Sequence, residues 1–332
     1  MADGYSILAF PEASRSPDGE IRRFHQGAFG IADLLGLEVQ PVMIHGAYHS
    51  MPKSELFIKP GQVTLKCFPR IIPRAMEHEG MKTFHQQAKK MTAFYRKEFR
   101  KLKTRQETPR YLRSKLIGQF VYKGPVLEWY LKVKLLLENN YKFYHYTIPG
   151  NAKVVDIGCG YGFLSIMLGY LPGNRQVTGI DYDGEKIRVA SNIAGDMERV
   201  SFLEADITRE EVPGGEVYIL NDVLHYLPEE SQFALLDQCL SKMPEGGMVI
   251  LRDADSDLRR RTLVTKLTEF QSTRLFKFNK ASHPLTYIPA RTMEDFVSGK
   301  GYAYRRMDRS RFTSNITYII TRKTEINGKE GV

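Results

Sequence analysis

The run Val154-Val155-Asp156-Ile157-Gly158-Cys159-Gly160-Tyr161-Gly162 constrains this chain more than any other segment. A short apolar stretch leads into glycines at three alternate positions, and the apolar run Phe163 to Tyr170 follows. That order reads as a buried strand, a glycine-rich turn and a helix. Glycine is needed in such a turn because a side chain would block the close approach of a ligand, and because the turn can demand positive φ.

From Lys153 onward, β-type and helical runs alternate as expected for parallel strands joined by crossover helices. A second strand, Gln176 to Ile180, ends at Asp181, where a carboxylate can accept hydrogen bonds from both hydroxyls of a ribose; Asp183 is a rival for that role. A third strand, Val200 to Leu203, leads to Glu204-Ala205-Asp206. A fourth, Val217 to Leu220, runs into Asn221-Asp222-Val223-Leu224-His225-Tyr226-Leu227-Pro228. Helix Ser231 to Ser241, the turn Pro244 to Gly247, strand Met248 to Leu251 and a last helix, Thr292 to Ser298, complete the series. Each acidic residue at a strand end also reads as the cap of the helix that follows.

The spacing G-x-G-x-G differs from the G-x-G-x-x-G of a dinucleotide fold, and with Asp156 before it the turn resembles motif I of class I S-adenosylmethionine-dependent methyltransferases. The resemblance covers roughly residues 150 to 322. It implies a Rossmann-like α/β fold with a seven-stranded, mostly parallel sheet. It also implies S-adenosyl-L-methionine as cofactor, held by Asp156, Gly158, Gly160, Gly162 and Asp181. By the same likeness Asp206 faces the adenine amino group, and Asn221 and Asp222 lie beneath the methionine end. A sulfonium carbon is already electrophilic, so the protein must chiefly align nucleophile, methyl and sulfur in line. If the acceptor is a phenol or enol, His225, His283 or Tyr287 can remove its proton. The segment Asp253 to Ala290 lies where this family places substrate-specific structure. Its Arg259-Arg260-Arg261, Phe270, Phe276, Phe278 and Tyr287 suit an amphipathic, acidic substrate, and equally a surface helix with its own core face.

Residues 1–75 alternate β-like runs (Ser6 to Phe10, Val39 to His45, Val63 to Phe68) with Gly and Pro, around a helix from Gly27 to Leu35. Residues 76–148 form a basic helical connector with lead-in helices, broken near Pro109 and Gly124-Pro125 before Val126 to Tyr144 resumes a helix; residues 149–323 form the third stretch. The net charge of +10 is concentrated: between Arg70 and Lys115 fourteen Lys or Arg face four Glu. Phe84, Ala88, Met91, Tyr95, Phe99 and Leu102 recur at helical steps, with Lys89, Lys90, Arg96, Lys97, Arg100 and Lys101 between them, which reads first as a solvated helix face. An anionic membrane surface is the second partner such charge suits. Nucleic acid is disfavoured, because no aromatic base-stacking platform accompanies the charge.

Phe10-Pro11-Glu12-Ala13-Ser14-Arg15-Ser16, with Asp18-Gly19, Arg23-Phe24 and Gly27-Ala28-Phe29 behind it, resembles the glycerol-phosphate and lysophospholipid acyltransferase family. The likeness implies an incomplete N-terminal α/β acyltransferase-like domain in which Glu12 and Arg15 bind the acceptor's phosphate or glycerol end. Ala13 and Ser14 depart from the family's Gly and Thr. The family's base, a histidine in His-x4-Asp, has no counterpart: none of the eight histidines is followed five residues later by Asp. The acyltransferase part is therefore expected to be inactive, and the chain to be the tail of a longer protein. The order acyltransferase then methyltransferase resembles the end of large bacterial fusions headed by an MMPL-type lipid transporter, which implies a small-molecule or lipid-linked methyl acceptor.

No apolar run approaches the ~18 residues a bilayer span needs, and Cys67, Cys159 and Cys239 show neither pairing nor metal spacing, so a cytoplasmic setting, peripheral at most to the inner membrane face, is expected. Two other readings stand beside the methyltransferase: an acyltransferase subunit completed by a missing portion, and a non-catalytic module that binds cofactor and docks to a membrane. The last residues, Asn327 to Val332, are expected to fray.

Overall fold

The computed structural model describes residues 6–53, 56–73, 76, 83–137, 140–195, 197–254, 285–308 and 315–323. The chain divides into two compact units, residues 1–118 and 119–332.

In the first unit, helix α1 (Gly27–Leu34) precedes strand β1 (Val42–His45), a single turn of helix α2 (Ala47–Ser50) and strand β2 (Thr64–Cys67). β1 and β2 pair antiparallel with Ile44 opposite Leu65. Ser6 to Phe10, expected as a strand, pairs with no other among the described residues, and Ile7, Leu8 and Phe10 are exposed. β-type residues form a ladder only where a neighbouring strand takes up their backbone groups. Helix α3 (Phe84–Gln106) begins with a capping box: the Gln86 N–H donates to Thr83 Oγ1 and the Thr83 N–H to Gln86 Oε1, both at 3.2 Å. Its buried face, Ala88, Met91, Tyr95 and Phe99, packs with Phe24, Phe29 and Met43, while the six cations of the intervening positions are exposed. The 3.6-residue period thus separates core from charge. Glu107, just past α3, sits buried between His45 and His49, at 3.2 and 3.3 Å from their Nε2 atoms. Helix α4 (Pro109–Phe120) follows.

The second unit opens with helices α5 (Pro125–Leu137) and α6 (Asn140–Thr147), over the stretch expected to be helical. Then come β3 (Lys153–Ile157), α7 (Phe163–Tyr170), β4 (Gln176–Asp181), α8 (Gly184–Ala194), β5 (Val200–Glu204), β6 (Val217–Asn221), α9 (Glu229–Lys242), β7 (Met248–Ala254), α10 (Ala290–Gly299), β8 (Tyr302–Met307) and β9 (Asn315–Arg322). These strands form one seven-stranded sheet in the order β5-β4-β3-β6-β7-β9-β8. The first five run parallel; β9 is antiparallel to both β7 and β8. Near-continuous burial of β3 and β6 marks strands covered on both faces. On one face Val155, Tyr218, Leu220, Val249 and Ile320 meet Leu236 and Leu240 of α9 and Val297 of α10. The chain runs from β3 outward to β5, then returns to β6 on the other side of β3. The crevice at such a reversal, beyond the strands' C-terminal ends, is where open α/β sheets bind ligands.

One packing detail fixes the height of the glycine turn. The Phe202 ring of β5 lies so close to both Gly162 and Gly179 that a Cβ built on either would stand 2.5 and 2.6 Å from it.

Candidate functional site

The turn after β3 carries positive φ at all three glycines, +70° at Gly158, +57° at Gly160 and +72° at Gly162, a region other residues enter at a cost. A Cβ on Gly158 would lie 2.3 Å from Val223 Cγ2, whereas a Cβ on Gly160 would meet nothing within 4 Å. The backbone at Gly160 is therefore open to an incoming molecule. Its N–H donates to Asp181 Oδ2 at 2.8 Å, and Asp181 Oδ1 accepts the Asp183 N–H at 2.9 Å. A carboxylate oxygen accepts more than one hydrogen bond, so Asp181 holds the turn and retains acceptor capacity for hydroxyls. Asp183, the rival, is occupied as the N-cap of α8, accepting the Glu185 N–H at 3.1 Å.

Asp156 lies beneath the turn with its Oδ2 accepting the Ser165 hydroxyl at 2.5 Å. Burial pushes its carboxyl up to about 6, against the lowering influence of Ser165. Asp206 is half-exposed; its Oδ1 accepts the Thr208 hydroxyl at 2.6 Å and the Thr208 N–H at 3.0 Å, and the hydroxyl bond chiefly holds the carboxyl below its usual range. Asn221 Oδ1 accepts the Tyr144 hydroxyl of α6 at 2.9 Å. Asp222 stands at φ +56°, its carboxylate held by Arg252 and by the Asn315 side-chain amide at 2.8 Å.

His225 is buried, in a one-turn 3-10 helix after β6. Its Nδ1 lies 2.5 Å from Asp253 Oδ1, and its backbone N–H donates to Asp253 Oδ2 at 3.2 Å. The Tyr287 ring stacks on the imidazole with centroids 5.2 Å apart and planes at 22°. His225, Asp253 and Tyr287 line a common small pocket with Thr286, Met293 and Tyr318. His283, Arg259-Arg260-Arg261, Phe270, Phe276 and Phe278 lie outside the described residues, as do Asn327 to Val332. The structure thus brings Gly158, Gly160, Gly162, Asp156 and Asp181 together at the β3–β4 end, and Asn221, Asp222 and His225 at the end of β6. Tyr144, Arg252, Asp253 and Asn315 were not singled out from sequence. Asp253 carried a signal, an acidic residue at the polar end of an otherwise apolar strand; Tyr144 lies in a mixed aromatic run with none.

In the first unit, Glu12 Oε2 accepts the Arg22 N–H at 2.8 Å, and Arg15 donates to the Met51 and Pro52 carbonyls at 3.5 and 3.4 Å. Ala13, where the acyltransferase resemblance has glycine, stands at φ +59°, the region that favours glycine.

Residues 154–247 match the family model described as a methyltransferase domain. The chain is similar to a carboxy-S-adenosyl-L-methionine synthase of Chromohalobacter salexigens, 27% identical over 107 residues, 31% of this chain and 40% of the relative. It is also similar to a ubiquinone biosynthesis O-methyltransferase of Xanthomonas axonopodis pv. citri, 31% identical over 109 residues, 31% of this chain and 43% of the relative. A 1-acyl-sn-glycerol-3-phosphate acyltransferase of Chlamydomonas reinhardtii is 41% identical over 66 residues, 20% of each chain. The chain therefore spans between a fifth and about two fifths of the length of these relatives. The second unit is an α/β Rossmann-like methyltransferase fold, and S-adenosylmethionine is the cofactor of its methyltransferase domain. The open backbone at Gly160 and the acceptor capacity of Asp181 fit that cofactor. Among the described residues, no helix is long and apolar enough to cross a membrane.

Proposed function

We propose that this protein transfers the methyl group of S-adenosylmethionine to an oxygen atom of a small-molecule acceptor, with His225 as general base. The observation that carries this reading is the pairing of His225 with Asp253 beside the crevice at the end of β6. When bound, S-adenosylmethionine supplies an electrophilic methyl carbon; every other requirement falls on the chain. Gly160 leaves room for the cofactor over β3, while Gly158 and Gly162 let the turn pass close to Val223 and Phe202. Asp181 receives its ribose hydroxyls while keeping the Gly160 amide in place, and Asp156 supports the turn from below. Asp206 would face the adenine, and Asn221 and Asp222 would line the methionine end.

With Nδ1 of His225 donating to the Asp253 carboxylate, Nε2 would be the atom that takes a proton from the acceptor hydroxyl. Removing that proton as the methyl is attacked raises the charge on oxygen where the new bond forms; Asp253 stabilises the imidazolium that results. Tyr287, stacked on the same ring, limits its rotation. An oxygen acceptor is supported by the similarity to a relative named as an O-methyltransferase. A lipid-linked acceptor is the narrower version of the proposal, motivated by the acyltransferase-like residues Glu12 and Arg15 in the same chain.

Calorimetric titration with S-adenosylmethionine and S-adenosylhomocysteine, NAD serving as control, tests the cofactor site. Transfer of labelled methyl to a panel of phenols, enols and lipid-linked hydroxyls tests the rest. Cofactor binding with no transfer to any oxygen acceptor, alongside transfer to amines, would overturn the oxygen assignment.

A further inference from the structure

The buried stripe of α9 begins at Gln232 and continues through Leu235, Leu236, Cys239 and Leu240, the steps of one helix face. Gln232 is the exception in kind: a primary amide, 2% exposed, at the head of a core stripe. An amide buried there is costly unless its polar atoms find partners. Gln232 finds two with a single nitrogen. Its Nε2 donates to the Leu227 carbonyl at 2.9 Å and to the Thr286 carbonyl at 2.8 Å.

The two carbonyls come from segments far apart in the chain. Leu227 ends the 3-10 turn that carries His225, whereas Thr286 lies 54 residues beyond Gln232 and immediately precedes Tyr287. The Thr286 N–H in turn donates to the His225 carbonyl at 2.9 Å. One backbone bond and one bridging amide thus hold residue 286 beside residues 225–227, much as two rungs hold neighbouring strands. Two carbonyl oxygens converging on one point repel unless a donor with two hydrogens stands between them, and the amide nitrogen supplies both. Tyr287, next in the chain, then lies with its ring stacked on the imidazole.

We propose that Gln232 is a positioning residue for His225. Its amide fixes Thr286, and through it the Tyr287 ring, so that the imidazole is held from one side by the stacked ring and from the other by Asp253. This inference rests on the reading of His225 as the base. It also gives Gln232 a second consequence: Thr286 belongs to the end of the segment Asp253 to Ala290, where the methyltransferase resemblance implies acceptor-specific structure. Pinning that end to the turn of His225 lets the sequence ahead of it change with the acceptor while the base stays in place.

The test uses the full chain with isotope-labelled histidine, the His225 ring resonances being assigned by their loss in His225→Gln. Gln232→Met keeps the length of the side chain and removes both donors. Gln238→Met is the control, because it removes a different side-chain bond of the same helix, from the Val212 N–H to Gln238 Oε1. Tyr287→Leu gives the resonance position without the stacked ring, and circular dichroism establishes that each variant is folded. Should Gln232→Met unfold, Gln232→Asn, which withdraws the amide by one methylene, takes its place. The expected result is that the Gln232 variant loses most of the ring-current displacement that Tyr287 gives the His225 resonances, while Gln238→Met keeps it. With labelled methyl transfer to pooled phenols, kcat should fall about tenfold or more in the Gln232 variant, with KM for S-adenosylmethionine unchanged. Wild-type resonances in a folded Gln232 variant, an equal displacement in Gln238→Met, or displaced resonances with kcat unchanged would each overturn the proposal. Unchanged kcat in His225→Gln would instead remove the base assignment, a failure told apart because the resonances report the placement of the ring without any acceptor.

Discussion

The Asp253 carboxylate grips His225 at two points, one oxygen on the ring Nδ1 and the other on the backbone N–H. The ring is thereby fixed in both tautomer and direction. Asp253→Asn keeps the shape of the side chain but presents a donor to one of those positions. It is expected to lower kcat by about 10²- to 10⁴-fold, as His225→Gln does, with S-adenosylhomocysteine affinity unchanged in both. Steady-state kinetics and calorimetry on the same preparations separate the two quantities; loss of cofactor affinity with intact kcat would remove His225 from the base role.

Asp181 serves the turn and the cofactor together. Asp181→Ala removes the acceptor of the Gly160 and Asp183 amides as well as the ribose partner, and is expected to weaken S-adenosylmethionine binding by on the order of 1–3 kcal/mol. Gly158→Val is expected to abolish binding, because its Cβ would stand 2.3 Å from Val223 Cγ2 on a backbone at φ +70°. Wild-type titration curves from folded samples of both variants would remove the cofactor site from this turn.

Asp156 predicts a pH signature in the cofactor-free protein. Burial raises its carboxyl from 3.8 to about 6, so the folded state holds this proton across a window where the unfolded chain releases it. The resulting stabilisation is complete below about pH 4 and lost as pH rises through about 6, on the order of 3 kcal/mol in total. In Asp156→Asn the contribution is absent. Urea unfolding of the two proteins between pH 4 and 7 should show the wild type losing stability relative to the variant; parallel curves would contradict the buried-carboxyl account.

Glu107 behaves with the opposite sign. Burial alone would raise its carboxyl, but hydrogen bonds from His45 and His49 outweigh it and hold the group down at about 2. Its contribution is present above about pH 4.5 and lost as pH falls toward 2. Glu107→Gln is expected to cost roughly 2–3 kcal/mol at pH 7, with the difference from wild type shrinking in acid. Thermal unfolding followed at pH 7 and pH 3 measures both; an equal loss at the two values would assign Glu107 a purely steric role.

How much of this was legible beforehand varies with the range of the interactions. The β3 turn, the acidic end of β4 and the succession of strands and helices from β3 to β7 were readable because they are local: glycine spacing, an apolar run, an acid at the strand's end. Asp181 was preferred over Asp183 from sequence, but the reason for the split was not visible there, because it depends on which carboxylate starts a helix and which faces across to Gly160. Asp253 and Asn315 escaped for a similar reason. Each reaches the β6 end from another strand, 28 and 93 residues distant in the chain from His225 and Asp222. Ser6 to Phe10 misled because β propensity describes a residue's fitness for a pleated surface and does not supply the neighbour.

Phe202 ties the fates of three positions. Its ring fills the space above Gly162 and Gly179, so neither glycine can acquire even a methyl group while that ring stays in place. A smaller residue at 202 would remove that clash from both at once, while a residue at 162 would still face φ +72° and a Cβ at 179 would still stand 2.9 Å from Cys159 Sγ. Divergence within this fold should then be coordinated, with gains of bulk at 162 or 179 accompanied by a loss at 202. A library that randomises the three together should recover folded proteins that one-at-a-time substitution discards.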